Sequence, residues 1–228
     1  MNFGNPRRGD ACVAPAAPKA MGRILAYLTD LTYVLSTLAE GSLALRPAGV
    51  WVQRRYRSLA NRYDALIEQW EPSYGLALEQ ALGYLFEGKT RILDTGTGTG
   101  YAARRLAQRF PEASIVGVDL SAEMLREARK KGDVLHHPRV IWIQANSAKL
   151  PFRDQAFDLA VVHNAPLDLE ELRRVVRRGG EILLCLSSGA AIPQLLQRIL
   201  RRRLHSLGCP VVHLGHAGEG LYLIARRA

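Results

Sequence analysis

The stretch RILDTGTGTG, from Arg91 to Gly100, decides the fold that this chain of 228 residues is expected to adopt. A short β-rich run ends at Asp94, three glycines then occupy alternate positions, and the helical stretch AARRLAQ follows. Glycine has no Cβ and adopts positive φ readily, so such a loop can turn sharply and lie close to a ligand. The free amides at the start of the next helix favour an anionic group. The pattern therefore predicts a strand, a ligand-binding turn and a helix.

A second acidic residue, Asp119, ends the next β-rich run, IVGVD. A carboxylate at the carboxyl end of a strand can accept hydrogen bonds from both hydroxyls of a ribose. The dinucleotide pattern GxGxxG would need a glycine at Tyr101, and the loop has no Lys followed by Ser or Thr as a P-loop has. The two acidic strand ends thus indicate a nucleoside-containing cofactor and argue against a nicotinamide dinucleotide.

Downstream of Gly88, short β-rich runs alternate with helical ones, which is typical of a parallel sheet with crossover helices. Two final apolar runs joined by GHAGEG predict an antiparallel hairpin. We predict an α/β fold: a Rossmann-like, doubly wound, mostly parallel seven-stranded sheet that ends in the hairpin. The expected strands are 91–94, 114–119, 140–144, 159–162, 181–187, 210–214 and 221–225, the expected helices are 100–109, 122–131, 169–176 and 193–205, and the segment after Gln144 is expected to be mostly loop.

The region before the sheet differs in composition. Residues 1–19 lack apolar periodicity and are expected to be a disordered leader, whereas residues 20–88 are expected to form an N-terminal helical extension or lid. Its expected helices are Met21–Ala39, Trp51–Trp70 and Tyr74–Phe86; the first is a candidate for covering the domain or for pairing two protomers as a homodimer. Residues 89–228 are expected to form the cofactor-binding domain.

Composition bears on the partners, the metal and disulfide content and the location of the protein. The formal net charge is +10, which favours an anionic partner such as RNA, an acidic membrane surface or a phosphorylated substrate, although an arginine-rich composition also reflects the base composition of a genome. The three cysteines form no CxxC pair, so no disulfide framework and no metal site are indicated. No stretch reaches the length of a membrane span, and we expect a cytoplasmic protein.

Five ordered landmarks resemble those of the class I S-adenosylmethionine-dependent methyltransferases, specifically the group similar to ubiquinone and menaquinone biosynthesis methyltransferases (the methyltransferase type 11-like domain). The resemblance covers about residues 56–180. The landmarks are the acidic residue and GxGxG at Asp94–Gly100, the acidic residue Asp119 in GVDLSAEML, SAKLPF at Ser147–Phe152, the FD pair at Phe157 and Asp158, and LRRVVRRGG before the fifth strand.

The resemblance implies S-adenosylmethionine as cofactor. The loop Asp94–Gly100 would face its methionine part, Asp119 its ribose, and Leu120 and Met124 its adenine. The upstream stretch YRSLANRYDAL resembles the helix that leads into the family's domain, and its aromatic residue Tyr63 would lie near the cofactor. Asn146 stands where the family usually has an aspartate that accepts from the adenine amino group; an amide oxygen can still accept that bond, without charge. The full set of expected cofactor contacts is Tyr63, Asp94, Thr95, Gly96, Thr97, Gly98, Gly100, Asp119, Leu120, Met124, Asn146, Ser147 and His163.

No residue is singled out as catalytic by its pattern, and His163 and Asn164 are only weak candidates. Both follow the fourth strand, at the edge where open α/β sheets bind ligands, and a histidine can act as a base near neutral pH. NAPL at Asn164–Leu167 departs from the NPP-plus-aromatic motif of amino-group methyltransferases at Ala165 and Leu167. A base or glutamine acceptor is therefore not supported.

The favoured function is methyl transfer to an unidentified acceptor, a small molecule in the leading hypothesis. One alternative is an RNA or ribosomal-component methyltransferase, for which the net charge of +10 is the support. Another is a binding protein that keeps the fold without catalysis, which the departure at Asn146 permits. Salt-sensitive RNA binding distinguishes the first alternative.

Overall fold

The computed structural model describes residues 73–134 and 139–228, together with Leu28, Thr29, Leu31, Thr32, Tyr63 and Ala65, all six of which have helical backbone. The side chains of residues 132–134 are not described. The leader expected over residues 1–19, and most of the helices expected over Met21–Ala39 and Trp51–Trp70, lie outside the described residues. The same holds for the expected pairing of protomers through the first helix.

Seven strands form one sheet in the order β3-β2-β1-β4-β5-β7-β6, which confirms the predicted architecture. Strands β1 to β5 run parallel, and β7 pairs antiparallel with both β5 and β6. The elements in chain order are α1 Leu76–Leu82, β1 Arg91–Thr95, α2 Tyr101–Arg109, β2 Ser114–Asp119, α3 Ala122–Val134, β3 Val140–Gln144, β4 Phe157–His163, α4 Leu169–Val175, β5 Val176–Leu186, a 3-10 turn Gly189–Ala191, α5 Gln194–Ser206, β6 Val211–Ala217 and β7 Gly220–Arg226.

The central strands are continuous apolar runs because helices cover both faces of the sheet. Every residue of β4 is buried, and the helices α1 and α2 pack on one face while α4 and α5 pack on the other. On the α1 face, Leu78 and Leu106 share a core cluster with Ile92 and Tyr222. The helix α1 is therefore part of the sheet's own core, although its residues fall within the predicted N-terminal extension.

Several predicted boundaries are wrong in detail. The helix expected over Tyr74–Phe86 is shorter and ends at Leu82. The strand β5 begins at Val176 instead of Glu181, because Val176 already pairs with Phe157 of β4, before a register shift leads to the pairing of Leu159 with Glu181. The expected hairpin loop GHAGEG shrinks to Gly218 and Glu219, with φ +57 at Gly218, as a two-residue turn with glycine first requires.

The connection between β3 and β4 contains no helix, as predicted, and holds only an isolated bridge between Asn146 and Lys149. Within the part of the chain that the structure describes, no helix has both the length and the apolar character needed to cross a membrane. The carboxyl ends of β1 to β4 all lie at one edge of the sheet, which carries the glycine loop and the acidic strand ends Asp94 and Asp119.

Candidate functional site

A cleft opens at the carboxyl edge of the parallel strands and encloses about 1000 Å³, its open mouth included. The segments that follow β1, β2, β3 and β4 form its walls. Every expected cofactor contact lines it except Thr95 and Gly100. The lining residues are Tyr63, Tyr74, Asp94, Gly96, Thr97, Gly98, Thr99, Tyr101, Ala102, Val118, Asp119, Leu120, Ser121, Met124, Ala145, Asn146, Ser147, His163, Asn164, Ala165 and Pro166.

Thr95 and Gly100 have other places in the fold. The side chain of Thr95 is buried, and its Oγ1 has no hydrogen-bond partner among the described residues. Gly100 has φ +80, and a Cβ there would lie 2.5 Å from the ring of Trp142 on β3. The third glycine of the loop thus makes room for the packing of an indole and does not face the cleft.

The other two glycines shape the cleft wall itself. Gly96 has φ +69, and a Cβ there would lie only 2.2 Å from the Cβ of Ala165. Gly98 has φ +54 and a Cβ there would meet nothing within 4 Å, since it faces open space. Positive φ is costly for any residue with a Cβ, so the backbone conformation alone favours glycine at both positions. The loop can therefore lie directly against a bound molecule.

Asp94 is a buried carboxylate with spare hydrogen-bonding capacity. The Thr97 hydroxyl donates to its Oδ2 at 2.5 Å, whereas its Oδ1 is buried without a partner in the described part of the chain. Burial, with a smaller contribution from the charge of Asp119, raises the pKa of Asp94 to about 7, although the Thr97 hydroxyl and the nearby backbone amide of Ala103 act in the opposite direction. A buried acceptor of this kind suits a cationic donor such as an ammonium group.

Asp119 ties the glycine loop to the turn after β2. The amide of Gly98 donates to its Oδ2 at 2.9 Å, and the amide of Ser121 donates to its Oδ1 at 2.8 Å. Burial raises the pKa of Asp119, although these amide donors act in the opposite direction. Each carboxylate oxygen has two lone pairs, so both can still accept from a ligand hydroxyl.

Asn146 lies exposed at the cleft rim, after β3. Its Oδ1 accepts from the amide of Ala148 at 2.9 Å, which closes a local turn. This contact leaves one lone pair of Oδ1 and both amide hydrogens of the side chain available. The residue is therefore placed to contact a ligand at the rim, with weaker acceptor strength than an aspartate would have.

The two weak catalytic candidates, His163 and Asn164, belong to a network around one carbonyl group. The Nε2 of His163 donates to the carbonyl oxygen of Tyr74 at 3.2 Å, and the hydroxyl of Ser187 donates to the same oxygen at 2.7 Å. The side chain of Asn164 donates to the Ser187 hydroxyl at 2.6 Å and accepts from the Ser187 amide at 2.8 Å. These contacts fix the segment before α1 against the sheet edge.

The network makes His163 a poor general base. Burial lowers its pKa to about 4, and the hydrogen bond to the Tyr74 carbonyl only partly opposes this. At neutral pH the ring is therefore uncharged, and its Nε2 proton is committed to a backbone acceptor. Asn164, with φ +50, is likewise occupied with Ser187.

Three tyrosines form an aromatic wall of the cleft together with His163. The ring of Tyr74 makes edge contacts with Tyr101 at 5.2 Å and with His163 at 4.7 Å between centroids. The hydroxyls of Tyr63 and Tyr74 lie 3.5 Å apart. Tyr101 lines the cleft, although in the sequence it served only as evidence against a dinucleotide cofactor. Its position at the start of the helix after the glycine loop could have predicted this.

The sequence of the chain is similar to those of known methyltransferases. The profile of a methyltransferase domain family matches residues 92–180. A malonyl-acyl-carrier-protein O-methyltransferase of Legionella pneumophila is 34% identical over 138 residues, which cover 57% of this chain and 47% of the relative. A ubiquinone/menaquinone biosynthesis C-methyltransferase of a Geobacter species is 30% identical over 166 residues, which cover 66% of this chain and 68% of the relative.

The chain spans about half the length of the first group of relatives, between 46% and 55% of the three malonyl-acyl-carrier-protein O-methyltransferases compared. Among solved structures, an S-adenosylmethionine-dependent methyltransferase from Aquifex aeolicus superposes with a TM-score of 0.61 at 20% identity, over 75% of this chain and 98% of that one. This likeness establishes a shared fold.

Proposed function

The chain belongs to the family of S-adenosylmethionine-dependent methyltransferases, and from that premise we propose that it transfers a methyl group from S-adenosylmethionine to a small-molecule acceptor bound in the cleft. The observation that carries the proposal is the juxtaposition of Asp94, Gly98 and Asp119 at the carboxyl ends of β1 and β2. The buried Oδ1 of Asp94, which has no hydrogen-bond partner among the described residues, supports a fit of this site to the cofactor's ammonium group.

In this proposal the cleft residues divide the cofactor between them. Asp94 accepts from the ammonium group of the methionine part, and Gly96 and Gly98 let the chain pass close beside it. Asp119 accepts from the ribose hydroxyls with its remaining lone pairs. The side chains of Leu120 and Met124, with Asn146 and Ser147 at the rim, surround the adenine.

S-adenosylmethionine, when bound, supplies a methyl group already activated by a sulfonium. The protein is then needed mainly to orient the acceptor and to exclude water. We assign that role to the aromatic wall of Tyr63, Tyr74, Tyr101 and His163, which closes the cleft. His163 positions Tyr74 and stays neutral at pH 7.

We further propose that a lid formed by the N-terminal region ends before α1. Tyr63 and Tyr74 reach the cleft from outside the sheet, whereas α1 is packed in the core with β7. The cofactor-binding domain would then begin at about residue 73 and not at residue 89.

A small-molecule acceptor is favoured over RNA because several of the arginines that contribute to the positive charge already have carboxylate partners. Arg174 pairs with Glu171 and Asp154, Arg177 with Asp158, and Arg203 with Glu170, so these guanidinium groups already have carboxylate partners. The Geobacter relative, of which the chain covers 68%, is named for ubiquinone and menaquinone biosynthesis, and this name also supports a small-molecule acceptor.

The first test is calorimetric titration of S-adenosylhomocysteine into the purified chain. Wild type should bind saturably, and Asp119→Ala should bind about 10- to 100-fold more weakly, because two hydrogen bonds to a charged acceptor are lost. Glu112→Ala is the matched control: it removes the same charge from an exposed residue paired with Arg139, and should bind as wild type does.

NADH serves as the ligand control and should give no saturable heat. If folded wild-type protein, verified by circular dichroism, does not bind S-adenosylhomocysteine, the proposal is wrong. If binding occurs, methyl transfer from labelled S-adenosylmethionine to a panel of apolar ring compounds, compared with RNA, tests the acceptor class.

A further inference from the structure

The helix α5 presents an outer face of unusual composition. Its buried side carries Leu200 and Leu204, which anchor it on the sheet. The opposite side carries arginines at the spacing of helical turns, and these line an open groove against the start of β6. The groove residues are Arg198, Arg201, Arg202, His205, Ser206, Pro210 and Val211.

The three groove arginines differ from the other arginines of this face of the molecule. Arg198, Arg201 and Arg202 are exposed, and none forms an ion pair with a described residue, whereas the neighbouring Arg203 pairs with Glu170 at 2.8 Å. Three adjacent guanidinium groups without carboxylate partners create a local positive potential. Such a surface attracts anionic groups.

Large apolar side chains adjoin these arginines on the same outer face. Leu195 is 66% exposed and Ile199 is 38% exposed on α5, and Val212 is 46% exposed on β6 beside the groove. At 100° per residue, Leu195 and Ile199 lie one turn apart, and Arg198 and Arg202 lie next to them. The outer face is thus part basic and part aliphatic.

We propose that this outer face of α5, with the adjoining start of β6, docks onto anionic lipid bilayers. Arginines meet the lipid headgroups, and Leu195, Ile199 and Val212 enter the boundary between headgroups and acyl chains, as in interfacial amphipathic helices. The helix lies parallel to the bilayer and does not cross it.

The chemistry of the face favours lipid over the other anionic partners. RNA binding draws on stacking with aromatic side chains, and protein interfaces concentrate their energy in Trp, Tyr and Arg. The α5 sequence and residues 210–212 contain no Phe, Tyr or Trp, and His205 is the one ring that could stack on a base. Exposed aliphatic side chains add nothing to a phosphate contact, but they gain stability in the acyl boundary of a bilayer.

Docking in this orientation also brings the cleft towards the lipid. The helix α5 starts at Gln194, soon after β5 ends at Leu186, so its aliphatic first half lies near the carboxyl edge of the sheet. An apolar acceptor could then pass from the bilayer to the cleft. The docking itself does not depend on methyl transfer and is measurable without cofactor or acceptor.

The experiment is co-sedimentation of the full chain with phosphatidylcholine vesicles, with and without phosphatidylserine. Wild type should sediment only with phosphatidylserine. Arg201→Gln with Arg202→Gln should weaken partitioning about 30-fold, since each arginine near an anionic surface contributes about 1 kcal/mol. Leu195→Ser with Ile199→Ser should also weaken it at least 10-fold, without any change in charge.

Matched controls lie at the opposite edge of the sheet. Arg129→Gln with Arg139→Gln removes the same charge there, and Ile141→Ser removes an apolar residue that is 55% exposed on β3. Both should sediment as wild type does, and thermal unfolding should show all variants folded.

Two outcomes overturn the proposal. The first is wild-type protein that does not sediment with phosphatidylserine vesicles. The second is vesicle binding that the double substitution of Arg201 and Arg202 abolishes and that the double substitution of Leu195 and Ile199 leaves unchanged. If the two double variants then affect the binding of single-stranded RNA in the same way, the face is a phosphate-binding patch and not a lipid-docking surface.

Discussion

Asp94→Asn should change the stability and the cofactor affinity of the protein in opposite directions. The carboxyl of Asp94 is buried, with a folded-state pKa of about 7 against an ordinary value of 3.8. The folded protein therefore holds a proton that the unfolded chain releases as pH rises from about 4 to 7, and stability is lost over that range. The shift from 3.8 to about 7, at 1.36 kcal/mol per unit, gives an upper bound of about 4 kcal/mol.

Asparagine keeps an oxygen that can accept from Thr97 and removes the ionisable group. Without cofactor at pH 8, the free energy of unfolding should rise by about 1 to 3 kcal/mol, and the gain should shrink as pH falls towards 4. S-adenosylhomocysteine should bind about 10- to 150-fold more weakly, because a charge-assisted hydrogen bond of about 1.5 to 3 kcal/mol to its ammonium group is lost.

Urea unfolding and calorimetric titration of the same preparations measure the two quantities. Asp154→Asn is the control, since that carboxylate is 73% exposed beside Arg174, and neither quantity should change by more than a small amount. A variant that is less stable than wild type at pH 8, with unaltered affinity for S-adenosylhomocysteine, would refute both the burial argument and the assignment of Asp94 to the ammonium group.

Two further substitutions and one titration test other parts of the structure. Gly98→Ala should lower the free energy of unfolding by about 1 to 2 kcal/mol, because the backbone φ at this position is +54. It should also weaken the binding of S-adenosylhomocysteine more than 10-fold, because the added Cβ enters the cleft. An unchanged affinity in calorimetric titration would contradict the second expectation. The ring of His163 should show no protonation above about pH 5 in an NMR titration, since burial lowers its pKa to about 4, and a midpoint near 6.5 would show that the ring is solvated. Asp158→Ala should cost about 2 to 4 kcal/mol in urea unfolding, because the amides of Thr90 and Arg91 lose their acceptor, yet should leave cofactor affinity unchanged at the far edge of the sheet; an equal loss of affinity would contradict that separation.

Local chemistry explains how much of the fold was predictable. Buried parallel strands are continuous apolar runs, and the loop after β1 needs glycine at positive φ, so both leave a direct mark on the sequence. The boundaries at Val176 and Gly218 depend on contacts with other elements. In β5, Val176 pairs with Phe157 of β4 before a register shift, and no periodicity within the segment indicates that pairing.

The same distinction applies to the site. The acidic strand ends Asp94 and Asp119 could be identified because each stands beside a recognisable local pattern. Ser187 and the Tyr74 carbonyl could not, because they are 113 positions apart and meet only once the sheet is formed. Thr95 and Gly100 were expected in the cleft because they belong to the loop, but the path of the backbone turns them into the core.

The proposed cofactor contacts thus belong to short sequence motifs, whereas the proposed acceptor wall combines residues from distant segments. Tyr63 and Tyr74 come from before the sheet, Tyr101 from the helix after the glycine loop, and His163 from the end of β4. The shape and the apolar character of such a wall would restrict which acceptors fit. None of its side chains indicates by its type alone which reaction takes place. His163 is neutral and donates its Nε2 proton to a backbone carbonyl, so it would not efficiently deprotonate an acceptor that needs a strong base. The geometry therefore favours acceptors that are already nucleophilic when they enter the cleft, and an acceptor screen should begin with compounds whose reacting atom is ionised or electron-rich at neutral pH.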